Sequence, residues 1–197
     1  MIPAFVIHQS SNVEREPIVA ELERQIPGLQ RVEATMVPGD PVTGCSISHQ
    51  QIIAFATQAG YPGVWILEDD CVLTSQFDLG DWLQTIDDAF KAHYDVVVGG
   101  SANGQGPSRA LLPHLVDVQA FSSCHCWVAF HYAYDVISRL TMSTPIDVAI
   151  SQAKLKKAVR VPFIGLQAPS HSSIELAYKD YMPWFVQSEQ RLMPFVE

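Results

Sequence analysis

The longest apolar runs in this chain are of strand length, and stretches with helical periodicity fall between them. Ile2 to His8, Val64 to Leu67, Asp95 to Val98, Cys126 to Phe130 and Val159 to Ile164 are short, rich in β-branched or aromatic residues, and bounded by polar or turn-forming ones. Such runs read as buried strands. Between the first two, Ile18, Val19, Leu22 and Ile26 line one face of a helix, with Asn12 or Ser11 as its predicted cap, Pro17 in its first turn and Pro27-Gly28 as its stop. A weaker strand is expected at 29–34, and a second helix from Ser46 or Ser48 to Ala59, closed by Gly60. Further helices are expected over 79–92, 132–140 and 146–156, and a strand over 116–121. The Gly-, Pro- and Ser-rich residues 102–113 read as a loop, and 172–197 as an irregular tail. Strands alternating with helices predict an α/β sandwich, mostly parallel in its first half. At 197 residues the chain suits one domain.

Charge narrows the ligand. Twelve Lys and Arg stand against 21 Asp and Glu, a net charge of −9. Duplex binding draws affinity from basic side chains that release counterions, so nucleic acid is disfavoured as the main ligand. The cysteines Cys45, Cys71, Cys124 and Cys126 form no CxxC pair, which argues against zinc and against a disulfide framework. The N-terminal apolar run lacks a basic leader and is too short for a transmembrane segment. The expectation is a soluble cytoplasmic protein with reduced thiols.

The most informative junction is Val64-Trp65-Ile66-Leu67 running directly into Glu68-Asp69-Asp70. Ligands of open α/β sheets sit beyond the carboxyl ends of strands. Three adjacent carboxylates there repel one another unless a cation or donor groups offset them. Oxygen-only ligation favours Mg²⁺ or Mn²⁺, which keeps coordination positions open for substrate phosphates. The alternative is a solvated turn. A second cluster, Gly44-Cys45-Ser46-Ile47-Ser48-His49, is expected to open a helix. Ser48 or His49 could there donate to a phosphate or a sugar hydroxyl, or the serine could be a plain cap and His49 a surface residue.

Taken in order, GCSISHQQIIAFA, WILEDDCVL and VVVGGS resemble glycosyltransferase family 25, the lipooligosaccharide galactosyltransferase-like and procollagen galactosyltransferase-like enzymes. That family has a Gly-Cys-x-x-Ser-His segment followed about one helix later by an apolar strand ending in Glu-Asp-Asp. The likeness continues through HCWVAFHYAYDVI, through Pro145-Ile146-Asp147 and through VPFIGLQAPSHSSI, so it covers most of the chain.

The resemblance implies a GT-A fold, a nucleotide-sugar donor such as a UDP-hexose, a Mn²⁺ or Mg²⁺ cofactor and inversion at the anomeric carbon. Glu68-Asp69-Asp70 matches the DxD-type motif, with Asp70 the leading metal ligand and Glu68 or Asp69 near the metal or the ribose. Asp147 matches the family's aspartate and is the expected general base; its alternative is an ordinary acid at a helix start. His171 is implied as a further metal ligand, or else it is a solvent-facing loop histidine. Gln167 and Ser172 match the family's tail beside the donor. His8, Gln9 and Ser10 follow the first strand, where base and ribose bind, and Arg15 matches an arginine of the first helix, with a surface ion pair as its alternative.

Two departures stand out. The first strand ends in His8-Gln9 where the family has Asn-Leu, and the 102–113 loop has no counterpart, which makes it the expected acceptor selector. The tail aromatics Tyr178, Tyr181, Trp184, Phe185 and Phe195 are expected to pack on the sheet or in a homodimer, or to stack an acceptor sugar on Trp184. A glycan is the favoured acceptor, with a protein or a modified DNA base as alternatives. The other readings are a GT-A domain that binds without turnover and a metal-dependent phosphohydrolase.

Overall fold

The computed structural model describes residues 2–172 and 177–196; the side chains of residues 170–172 and 177 are not part of that description. The elements in chain order are β1 (Ala4–His8), α1 (Glu16–Gln25), β2 (Gln30–Glu33), α2 (Pro41–Ala59), β3 (Gly63–Glu68), β4 (Cys71–Leu73) and α3 (Leu79–Lys91). Then come β5 (Val96–Val98), β6 (Ser108–Arg109), β7 (Leu115–Val118), β8 (Cys126–Phe130), α4 (His131–Ser138) and α5 (Ile146–Gln152). The chain closes with β9 (Lys157–Arg160), β10 (Gly165–Gln167), β11 (Ser170–Ser172), β12 (Ala177–Lys179), α6 (Met182–Leu192) and a 3₁₀ turn at Met193–Phe195.

Eight strands form one sheet in the order β2-β1-β3-β8-β5-β9-β7-β6. β1 pairs in parallel with β2 and β3, and β5 with β9, whereas β8 and β7 run against their neighbours. All strands but β8 and β7 therefore point the same way. This is the helix-flanked, mostly parallel mixed sheet expected of a GT-A sandwich.

Period-two alternation sends side chains to two cores. On one face Val64 and Ile66 join Ile53, Val96, Trp127, Ile137 and Phe185 beneath α2, α4 and α6. On the other, Trp65 and Leu67 join Val19, Leu22, Trp82, Ile86 and Val128 beneath α1 and α3. A strand buried on both faces reads as a continuous apolar run, which explains the form of residues 64–67.

Several element boundaries differ from the expectation. Neither Ser11 nor Asn12 caps α1; Asn12 instead closes a turn on the Gln9 carbonyl, and the helix begins after Arg15 with Pro17 in its first turn. α2 starts at Pro41 rather than at Ser46 or Ser48, because the Asp40 carboxylate accepts from the Thr43 amide at 3.0 Å and Pro41 is preorganised for a first helical turn. α5 ends at Gln152, four residues before the expected end, where Lys157 Nζ donates to the Ser151 and Ala153 carbonyls. The tail is not irregular: β11 and β12 pair antiparallel, and α6 buries Phe185 and Leu192 in the chain's own core.

The strand directions decide where a site can form. β1, β3 and β5 all end at one edge of the sheet, and the antiparallel β8 begins there, with Leu67 opposite Cys126. Gly99-Gly100 ends β5 at the same edge; a Cβ on Gly100 would collide with the Gly165 carbonyl, so glycine lets β10 cross here. Among the described residues no helix is long and apolar enough to cross a membrane, and all four cysteines are free thiols.

Candidate active site

Glu68 ends β3, and Asp69 and Asp70 form the turn into β4. The turn is held from both sides: the Glu68 amide donates to the His125 carbonyl at 2.9 Å, and the Ala168 amide to the Asp70 carbonyl at 2.8 Å. Each of the three carboxylates then finds a different partner. Glu68 Oε1 lies 3.0 Å from His49 Nε2. Asp69 lies 3.0 Å from His8 Nδ1 through one oxygen and 3.1 Å from Arg15 Nη1 through the other. Asp70 Oδ2 accepts from Gln167 Nε2 at 2.9 Å and pairs with Arg15 Nη1 at 3.1 Å. Burial raises Asp69 above the ordinary carboxylate range, against the pull of His8 and Arg15.

Asp70 Oδ1 is the exception. It is buried and has no hydrogen-bond partner among the described residues. An orphaned carboxylate oxygen costs desolvation free energy with nothing to offset it, unless a ligand supplies the partner.

The Gly-Cys-x-x-Ser-His segment lies one turn inside α2 rather than at its start. Gly44 lets the loop after β2 close on the helix, since a Cβ there would stand 2.5 Å from the Thr35 carbonyl oxygen. Ser48 Oγ locks that loop, donating to the Gly44 carbonyl at 2.9 Å and accepting from the Thr35 amide at 2.8 Å. Its hydroxyl is committed to backbone, and the expected anion-binding helix start is absent. His49 is fully buried, and its Nδ1 accepts from Trp127 Nε1 at 3.3 Å. The proton therefore sits on Nε2, where it can only donate to Glu68.

A cleft opens over these groups, lined among others by Gln9, Arg15, Thr35, Cys45, Lys179 and Tyr181 as well as the three carboxylates. Of the sequence-predicted residues it brings together Gln9, Arg15, Ser48, His49, Glu68, Asp69, Asp70 and Gln167. His8 stands behind Asp69, its other nitrogen 3.2 Å from Glu16. The Ser10 amide is turned to Glu33 at 3.1 Å, and Ser10 is not among the lining residues. The predicted side chains of His171 and Ser172 lie outside the described residues. Lys179 was not foreseen, and Tyr181 was expected only as a packing aromatic of the tail; they arrive with β12 and the start of α6, and only the fold of the tail brings them here.

A second hollow adjoins the first and shares Cys45, Glu68, Gln167 and Tyr181 with it. Asp147 lies here, at the start of α5, with Oδ2 accepting from the Ser123 amide at 2.8 Å. Trp184 and His125 also line it. His125 is fully buried; the Gly165 backbone approaches its ring, but neither ring nitrogen makes a hydrogen bond of good geometry. Burial depresses its proton affinity below the ordinary histidine range. Of the 102–113 loop only Ala102 reaches this hollow, while Ser108 and Arg109 lie at the far edge of the sheet.

The donor set fits a hard divalent cation. The orphaned Asp70 Oδ1 and the outward carboxylate of Glu68 are oxygen ligands of the kind Mg²⁺ and Mn²⁺ take. Ligand atoms of Cys45, His49 and Glu68 also lie within 4.8 Å of one another. That trio suits a soft metal poorly, because His49 has no free lone pair in this tautomer and burial beside Glu68, Asp147 and Asp70 keeps the Cys45 thiol protonated.

No protein-family description and no curated protein matches the chain. Among solved structures it is similar to A197 from STIV, with a TM-score of 0.55 at 13% identity over 88% of this chain and 97% of that one. A UDP-glucose pyrophosphorylase complexed with UDP-glucose gives 0.48 at 9% identity, covering 98% of this chain and 99% of that one. A glycosyltransferase involved in glycosylation of the major capsid of PBCV-1 gives 0.43 at 9% identity, over 69% and 62%. Of these three, A197 alone exceeds 0.5, and at that identity the likeness shows a shared fold.

Proposed function

We propose that the chain is an inverting, divalent-metal-dependent glycosyltransferase of the family 25 type. It moves a hexose from a nucleotide sugar, a UDP-hexose, to a hydroxyl of a glycan. The observation that carries this reading is the buried, unpartnered Asp70 Oδ1 in a cleft that opens onto a second hollow holding Asp147.

Charge supports it. The first cleft holds three carboxylates against Arg15 and Lys179, an excess of one acid, so a diphosphate is repelled unless it enters with a cation. Asp70 and Glu68 would hold that cation, and bound there it would neutralise the charge gathering on the departing diphosphate. Arg15 and Lys179 offer further donors to the phosphates, each by exchanging part of the contacts it already makes, Arg15 those with Asp69 and Asp70. Trp127 fixes the His49 tautomer, and His49 in turn fixes the Glu68 carboxylate.

The adjacency of the two hollows supports it as well. The first cleft offers about 160 Å³, small against the roughly 300–1,000 Å³ of ordinary ligand sites, whereas the second offers about 320 Å³. The first is too small for a whole nucleotide, so the diphosphate of the donor lies over its carboxylates and the hexose reaches across Glu68 and Tyr181 into the second. There the acceptor oxygen attacks the anomeric carbon as the bond to the phosphate oxygen breaks. The hydroxyl proton passes to Asp147, and the electron pair leaves with the diphosphate.

The test is to incubate the chain with a panel of nucleotide sugars, with and without Mn²⁺, and to record thermal shift and donor hydrolysis. Stabilisation and slow hydrolysis of one UDP-hexose, only with metal and lost in Asp70→Ala, is the expected result. Pyrophosphate release from UTP and a hexose 1-phosphate would point to nucleotidyl transfer instead, and phosphate release from simple phosphoesters to a hydrolase. Binding with no turnover in the presence of acceptors would mark an inactive domain.

A further inference from the structure

The second hollow continues past Trp184. On the far side of that indole lies a third hollow, of about 370 Å³, whose polar walls are Asn103, Ser122, Gln187 and Arg191. Trp184, Ala102 and Ser122 line both hollows, so the indole stands on the boundary between them. It is 54% exposed, whereas Trp65, Trp82 and Trp127 are each at most 1% exposed.

The platform is held firmly. Tyr181 packs beside it with ring centroids 5.3 Å apart. One turn further along α6, Ser188 Oγ accepts from the Gly104 amide at 3.2 Å, and Leu192 packs closely on Gly104. Arg191 donates to Asn103 Oδ1 at 2.9 Å, which ties α6 to the start of the 102–113 loop. In the hollow on the other side, His125 and Asp147 both form part of the wall, and the buried ring nitrogens of His125 make no hydrogen bond of good geometry among the described residues.

We propose that the acceptor is a saccharide of at least two units and that Trp184 carries it. This rests on the transferase reading above. The ring bearing the reacting hydroxyl lies in the Asp147 hollow, and the next ring lies in the Asn103, Gln187 and Arg191 hollow. A pyranose has one apolar C–H face and a rim of hydroxyls; an exposed indole flanked by amide and guanidinium donors complements both parts. One cation in the third hollow is too few for a nucleic-acid strand, whose binding is built on many phosphate contacts.

Trp184 can be read alone in the full chain, because the other three tryptophans are buried and shielded from acrylamide. Quenching is followed while methyl glycosides of glucose, galactose and N-acetylglucosamine are added, and then disaccharides of the same sugars. At least one disaccharide is expected to lower the quenching constant two-fold or more with saturation, the matching monosaccharide needing about ten-fold more. By calorimetry Trp184→Ala is expected to lose at least ten-fold in affinity for that disaccharide and Trp184→Phe to recover most of it, with far-UV circular dichroism confirming the fold of both.

Equal protection by the mono- and disaccharides overturns the proposal, as does protection only by a Ser/Thr peptide or a single-stranded oligonucleotide. So does a lack of protection by any saccharide while the Mn²⁺-dependent shift with a UDP-sugar is intact. Saccharide protection without any nucleotide-sugar shift would support the platform while removing the transferase reading.

Discussion

The two adjoining hollows at the carboxyl edge of the sheet are built on opposite principles, although Cys45, Glu68, Gln167 and Tyr181 form walls of both. In the first, the charged groups are already engaged: Asp69 with His8 and Arg15, Glu68 with His49, and Asp70 through one oxygen with Arg15 and Gln167. Little reorganisation is needed there except at Asp70 Oδ1 and Arg15. In the second, among the described residues, Asp147 accepts only from the Ser123 and Val148 amides, neither ring nitrogen of His125 makes a hydrogen bond of good geometry, and Trp184 faces solvent. A preorganised array of charges suits a ligand whose diphosphate never varies. A half-open hollow with an aromatic wall suits one recognised by shape and by hydroxyls, and loose enough to leave after each turnover.

That contrast can be broken most directly at Asp70. Asp70→Ala is expected to cut transfer about 10³-fold, the upper end of what loss of one electrostatic stabiliser costs, while circular dichroism shows a folded chain. Unchanged activity would remove the proposed metal from the first hollow and the comparison with it. Asp147→Asn tests the other side. It is expected to lower kcat about 10²-fold, the low end for a lost general base, since the open flank at Trp184 lets water accept the proton. The KM for the donor should hardly move. A rise in donor KM matching the fall in kcat would place Asp147 with the donor and erase the division of labour.

How much of this was legible in the residues differs between the two hollows. The first was, because it is built locally: a buried strand must end somewhere, and Glu68-Asp69-Asp70 directly after Leu67 marks that end and sets three carboxylates in one cleft. Even so, Gly44-Cys45-Ser46-Ile47-Ser48-His49 was misplaced, since Asp40 and Pro41 look like loop residues until the Asp40 carboxylate is seen to cap α2. The serine that looked free to meet a phosphate is holding the Thr35 loop. The second hollow is assembled from Ser122 to His125, the start of α5 and the start of α6, segments far apart in sequence whose meeting depends on β8 running antiparallel between β3 and β5. Trp184 showed as an aromatic in a sparse tail, but nothing local announces that α6 returns it to the active edge, or that only the first residues of the 102–113 loop reach it.

Two smaller effects sharpen the first hollow further. Trp127→Phe deletes the donor to His49 Nδ1, so the ring can change tautomer and Glu68 loses its fixed partner. A loss of about 10-fold in apparent Mn²⁺ affinity is expected, at the low end for groups that orient a metal ligand, read as the Mn²⁺ concentration for half-maximal donor hydrolysis. Ser48→Ala strands the Thr35 amide, and urea unfolding should show a loss of about 1–3 kcal/mol, the cost of an unsatisfied buried donor. Unaltered stability would mean that water replaces the hydroxyl and that the loop is held by Gly44 alone.

The smallest effect belongs to His125. Burial holds its proton affinity below the ordinary histidine range, so the folded chain keeps the ring neutral at a pH where the unfolded chain would protonate it. The unfolded state then binds more protons, and stability falls as pH drops. The contribution is fully present above the unfolded value of about 6.5 and is lost progressively as pH falls through the folded value. Replacing the ring by one that cannot titrate, His125→Phe, should flatten that part of the melting temperature against pH curve between about pH 7 and 5, leaving the carboxylate-driven loss at lower pH. The Phe185 ring already packs edge-on against His125 with centroids 5.1 Å apart, so the replacement finds an apolar neighbour. An unchanged slope would mean that a hydrogen-bond partner reaches the imidazole in solution, and the second hollow would then be as fully paired as the first.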